Sequence, residues 1–173
     1  PIACAMLAVS AVEAFINSTI FFAAEAALIR ELPLPPKLLS DPAAFQRTTS
    51  FAEKWAIVGE SLCGEFWPAA PQIWKNLNTL VRLRNELVHF KAVGFEKVAP
   101  VPSDPQEKLR GLPAEIGLRS GPYSWPIRLL TPSFASWSVQ VARDAMVQFR
   151  HCYRQAHHEL SDAAPPDDTR STT

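Results

Sequence analysis

The run QIWKNLNTLVRLRNELVHFK, Gln72 to Lys91, decides how the rest of the chain is read. Its apolar residues recur at helical spacing. With Leu77 at zero and about 100° per residue, Leu80, Val81, Leu83, Leu87, Val88 and Phe90 join it in one arc roughly 180° wide. A helix from about Gln72 to Lys91 is therefore predicted, with Pro71 at its entry, where proline is tolerated. Arg84 falls near the centre of the apolar arc. Asn78, Arg82, Asn85 and His89 form a separate polar stripe along one edge. A helix with an apolar face this broad has to pack against other helices or a sheet.

The flanking sequence supplies helices. From Cys4 to Glu31 there is no glycine or proline, and alanine, leucine, phenylalanine and glutamate dominate, so a long first helix is expected, closed by Pro33, Pro35 and Pro36. Ser40-Asp41-Pro42 reads as a turn or a fresh helix start, and a second helix is expected from about Phe51 to Cys63, ahead of Gly64. Seven of the sixteen prolines and four of the six glycines lie between Val93 and Pro132, which predicts a long ordered loop there. Within it, Gln106 to Arg110 reads as a helical turn and Ile127 to Leu130 as a short extended piece. Thr131-Pro132-Ser133 is a strong helix start, and Phe134, Trp137, Val141, Ala145, Phe149 and Cys152 carry the pattern to about Leu160. Ser161 to Thr173 has almost nothing to bury and is expected to be a disordered tail. The expected fold is all-α: an antiparallel bundle of four long helices over residues 1–160, with the proline-rich loop before the last.

Arg84 needs an explanation. Desolvating a guanidinium costs several kcal/mol that a carboxylate, carbonyls or a bound anion must offset. Glu13 and Glu25 on the apolar first helix are the carboxylates available, and Glu13, among Val9, Val12, Phe15 and Ile16, is the better placed. Two further readings stand beside a functional one: a Glu13–Arg84 pair acts only as a lock on helix register, or Arg84 snorkels to a groove. The polar stripe likewise has a plain reading as a solvated helix edge.

Arg84-Asn85-Glu86-Leu87-Val88-His89 resembles the signature of the HEPN superfamily, in which arginine, commonly followed by a polar residue, precedes a histidine near the end of a long helix. The match is at Arg84, Asn85 and His89. The context is similar too: an acid-bearing helix with AVEAFIN at Ala11 to Asn17, then the motif helix, a proline-rich connection and a final helix with Trp137. The resemblance implies an all-helical homodimer that places two copies of the Arg-Asn-x3-His motif in one cleft. It also implies a metal-independent endoribonuclease of toxin and antitoxin, phage-defence or RNA-processing type. No cofactor is expected, and the partners implied are RNA or a nucleotide, a second copy of the chain and an antitoxin protein. One branch of the family carries a tyrosine two residues after the histidine. Here that position is Lys91, so control through that tyrosine is not expected. Other members are silent binding modules, and a non-catalytic helical dimerisation or nucleotide-sensing module is the alternative reading.

The residue types suit the chemistry. In metal-free RNA cleavage a ribose 2′-hydroxyl attacks the adjacent phosphorus and expels the 5′-oxygen, which needs a base, an acid and fixed positive charge. Histidine serves both proton roles near neutral pH, and two copies of His89 in a dimer would divide them. Arg84 would hold the non-bridging oxygens. Asn85, four residues before His89, would orient the imidazole or the phosphate, with Glu13 and Arg82 in support. A five-residue step turns a helix by about 140°, so Arg84 and His89 do not share a face and converge only through arginine's length or across a dimer. No aspartate–histidine cluster with metal spacing accompanies the motif.

Other features narrow the class. Seventeen basic and seventeen acidic side chains leave a formal net charge of zero, which argues against a uniformly basic nucleic-acid coat and requires any anion site to be local. Cys4, Cys63 and Cys152 have no paired spacing, which points to neither a disulfide framework nor a zinc site and fits a reducing cytoplasm. The apolar stretch Pro1 to Ile29 raises a membrane-associated reading, against which Glu13, Asn17 and Glu25 count, and no membrane is expected. His151, Cys152, His157 and His158 lie together near the end of the last helix, without a second cysteine or facing carboxylate to complete a metal site. Arg150, Arg154 and His157 there read as a solvated basic face suited to a helix C-terminus. The five tryptophans read as core or interface anchors rather than as a base-stacking platform.

Overall fold

A computed structural model describes residues 1–29, 32–64, 71–89, 109–120 and 124–162. Among these the chain is all-helical and holds no strand. The helices are α1 (Ile2–Ala27), α2 (Pro36–Ser40), α3 (Pro42–Thr48), α4 (Phe51–Cys63), α5 (Pro71–Val88), α6 (Trp125–Arg128) and α7 (Pro132–Asp162).

Local chemistry sets most of these boundaries. Asp41 caps α3 by accepting a hydrogen bond from the Ala44 amide at 2.8 Å, with Pro42 at the first helical position. Ser50 and Glu53 form a reciprocal capping box at the start of α4: the Ser50 hydroxyl accepts from the Glu53 amide, and the Glu53 carboxylate accepts from the Ser50 amide. These bonds hold the Glu53 carboxyl below its ordinary pKa. Gly64, at φ 54, ends α4 where a side chain would be strained. Thr131 caps α7 by accepting from the Phe134 amide at 3.2 Å.

The chain forms two compact units. The first comprises Pro1–Thr19 and Ala70–Val147. Its buried side chains include Val9, Val12 and Ile16 from α1, Leu77, Leu80 and Leu83 from α5, and Phe134, Val141 and Ala145 from α7. Within its described residues two hydrogen bonds join Arg119 and Arg128: the Arg119 amide donates to the Arg128 carbonyl at 3.0 Å, and the Arg128 Nε–H donates back to the Arg119 carbonyl at 3.3 Å. The second unit comprises Ile20–Ala69 and Gln148–Thr173. Trp55, fully buried, meets Phe149 edge-on with ring centroids 5.7 Å apart, a favoured aromatic geometry. The Cys63 thiol, directed at the Phe149 carbonyl, is pushed up to about 12 by burial and by Cys152.

Several expectations need correction. The extended piece at Ile127 to Leu130 is instead the end of the helical turn α6 and the turn after it. Pro126, the second residue of that turn, has its φ already fixed near the helical value, and the Ile127 amide closes the turn on the Ser124 carbonyl at 3.0 Å. Pro33, Pro35 and Pro36, read from the sequence as closing α1, mask a further short helix, α2, that Pro36 begins. α1 ends at Ala27 rather than Glu31, α5 ends at Val88 rather than Lys91, and α7 runs on through Ser161 to Asp162. Phe90, Lys91, Gln106 to Lys108 and the tail from Ala163 lie outside the described residues. α1 is long and apolar enough to cross a membrane by length and composition.

Candidate functional site

The buried face of α5 follows the predicted arc only in part. Leu77, Leu80 and Leu83 are fully buried, whereas Val88 is 57% exposed. Along its last turn the helix therefore emerges into solvent, carrying Asn85 and His89 with it; both are exposed. Thr79, outside that arc, is buried instead, because Gly111 packs against it. Gly111 has φ 87, and a Cβ there would meet the Thr79 hydroxyl at 3.1 Å, so the approach needs glycine for both conformation and space.

Arg84 is positioned from two sides. Its place on α5 leaves the side chain 23% exposed, and an Nη2–H donates to Oε1 of Glu13 on α1. Glu13 is 38% exposed, so one flank of the pair is wet. The Nε of Arg84 is buried and has no hydrogen-bond partner among the described residues. Glu13 thus neutralises the guanidinium formally while leaving donors open, and a buried donor without a partner costs about 1–3 kcal/mol. A planar acceptor or a tetrahedral oxyanion approaching that edge would recover the loss.

The remaining motif residues are placed differently. Arg82 donates from Nη2 to the carbonyl of Arg110, so it fastens the connecting segment to α5. The His89 amide donates to the Asn85 carbonyl at 3.1 Å, extending the helical bonding one residue past Val88 and keeping Asn85 and His89 on one side. No hydrogen bond or ion pair joins His89 to Arg84 among the described residues. The structure thus brings Arg84 to Glu13, while Asn85 and His89 are joined only by that backbone bond, and the motif residues form no connected triad among the described residues. Glu25, the other carboxylate considered for Arg84, is exposed.

Thr79, Gly111 and the Arg110 carbonyl were not legible as site-shaping elements. Gly111-Leu112-Pro113 offers a turn signal, but nothing in a sequence shows that the turn folds onto α5. No three His, Cys, Asp or Glu side chains among the described residues are grouped to hold a metal ion. No protein-family model matches the chain, and no curated protein or solved structure is significantly similar to it.

Proposed function

We propose that this chain is an HEPN-like RNA-binding protein of toxin or defence type that cleaves RNA without a metal, acting in the cytoplasm as a homodimer. Its four long helices would adopt the antiparallel bundle that the resemblance implies. The observation that carries the reading is the half-buried Arg84, pinned by Glu13 through one nitrogen with its buried Nε left open. Glu13 leaves part of the donor fork of Arg84 uncommitted, and a phosphate oxyanion is an acceptor that suits it.

In the proposed reaction Arg84 holds the non-bridging oxygens of a phosphodiester. His89 of one protomer accepts the proton of the ribose 2′-hydroxyl as its oxygen attacks phosphorus. Protonated His89 of the other protomer donates to the departing 5′-oxygen. One P–O bond forms and one breaks, leaving a 2′,3′-cyclic phosphate and a 5′-hydroxyl, with the two histidines exchanging protonation states. Asn85 lies on the His89 side and would orient the imidazole; Arg82 supports the helix through Arg110. Exposure of His89 at the end of α5 leaves it accessible to a strand. Leu7, Val88 and Val139, each more than half exposed on the unit that carries the motif, offer apolar surface for a second copy.

The second reading is a non-catalytic module that binds a nucleotide anion at Arg84; the absence of a direct Arg84–His89 bond favours it. Incubating wild type and His89→Ala with RNA, with and without chelator, separates the two. The proposal expects fragments ending in 2′,3′-cyclic phosphate from wild type alone, unaffected by chelator. Equal products from both proteins would leave only the binding module, and chelator-sensitive cleavage would refute the chemistry.

A further inference from the structure

The last turns of α7 carry a feature that neither Arg84 nor His89 uses. Setting Phe149 at zero with about 100° per residue, Tyr153, His157, Arg150 and Arg154 occupy one arc from about 40° to 140°. Phe149 and Cys152, buried, mark the inward face. Arg150 and Arg154 are exposed, Tyr153 is 41% exposed, and its ring sits 4.1 Å, centroid to centroid, from the imidazole of His157. From Gln148 to His157 the sequence holds two arginines, two histidines and no acidic residue.

We propose that this face is a second contact surface for single-stranded RNA. One unpaired base stacks on the exposed ring of Tyr153, which the half-buried His157 backs, while Arg150 and Arg154 take flanking phosphates. Charge complementarity selects an anionic partner, and the ring beside the cations selects one with accessible flat faces. An isolated phosphate has no use for the ring, and a duplex hides its base faces. The arginines are about 6 Å apart along the helix axis, comparable to the separation of successive phosphates on an extended strand. The tryptophans form no such platform in the sequence pattern; the smaller Tyr153–His157 pair, four residues apart on one helical face, does. The inference rests on the nuclease reading only in taking RNA as the strand.

The test measures anisotropy of a fluorescein-labelled oligouridylate across a salt series, in a His89→Ala background so that the probe stays intact. Tyr153→Ala is expected to weaken binding about tenfold, since stacking contributes ~1–3 kcal/mol per base and ~1.4 kcal/mol is tenfold. Tyr153→Phe keeps the ring and is expected to bind within about twofold of the parent. Arg150→Gln with Arg154→Gln should flatten the dependence of log affinity on log salt by about 1.4, at ~0.7 per phosphate contact. Unchanged affinity and slope in these variants, or no binding of the probe by the parent, would overturn the proposal. Cleavage by wild type is read on separate samples, so losing the nuclease reading and losing this surface are distinguishable results.

Discussion

Removing the carboxylate from the Glu13–Arg84 pair is the most informative perturbation of the first unit. Two opposite unit charges about 4 Å apart attract by ~4 kcal/mol at an effective dielectric near 20. Breaking a fully buried pair costs about 3–5 kcal/mol, while exposed pairs contribute only ~0.2–1 kcal/mol. With side chains 23% and 38% exposed, this pair falls between, and a coupling of about 1–2 kcal/mol is expected. The two single variants should differ. Glu13→Gln leaves a half-buried cation whose Nε already lacks a partner, whereas Arg84→Met strands a carboxylate that water reaches. Glu13→Gln should therefore be the more costly, by about 1 kcal/mol. Urea unfolding followed by far-ultraviolet circular dichroism of both singles and the double gives the coupling directly. Inorganic phosphate at ten times its dissociation constant should add about 1.4 kcal/mol to wild type and nothing to Arg84→Met. A coupling under about 0.3 kcal/mol, or Arg84→Met proving the more costly, would refute the reasoning.

Gly111→Ala should destabilise by about 1–2 kcal/mol in thermal unfolding, because an L side chain at φ 87 is strained and its Cβ meets Thr79. Ser50→Ala should cost about 1 kcal/mol through loss of the cap. Because the folded Glu53 carboxyl lies below its ordinary pKa, its contribution is complete above the unfolded value and fades as pH falls through the folded one; in Ser50→Ala that acid-side loss should shrink. With a thiol-reactive disulfide reagent near neutral pH, Cys4 alone should react in the native protein, since Cys63 and Cys152 are buried and the Cys63 thiol is pushed up to about 12. Denaturant should release both.

Periodicity and punctuation made the long helices legible. The bounds of α4, Phe51 to Cys63, and the start of α7 at Thr131-Pro132 follow directly from apolar spacing, capping residues and proline placement. Glu13 was legible as the partner of Arg84 because an acid in an apolar helix and a base in an apolar arc each need a counter-charge. What the sequence concealed was non-local. Val88 belongs to the apolar arc by angle, yet the end of α5 leaves the core and exposes it. Thr79 looked ordinary and is buried by a glycine thirty-two residues further along the chain. Arg82 read as part of a polar edge, but a carbonyl at Arg110 occupies it. Helical angles alone cannot show which neighbour covers which face.

The central claim is that the open edge of Arg84 and the imidazole of His89 engage the same phosphate. The most direct measurement follows the Arg84 Nε–H and His89 ring resonances by NMR while an uncleavable oligonucleotide, 2′-deoxy at the scissile ribose, is titrated in. Both should shift together with one dissociation constant, and Glu13→Gln should leave that coupling in place. Movement of His89 with Arg84 Nε unchanged, or of neither while the strand still binds, would contradict the account.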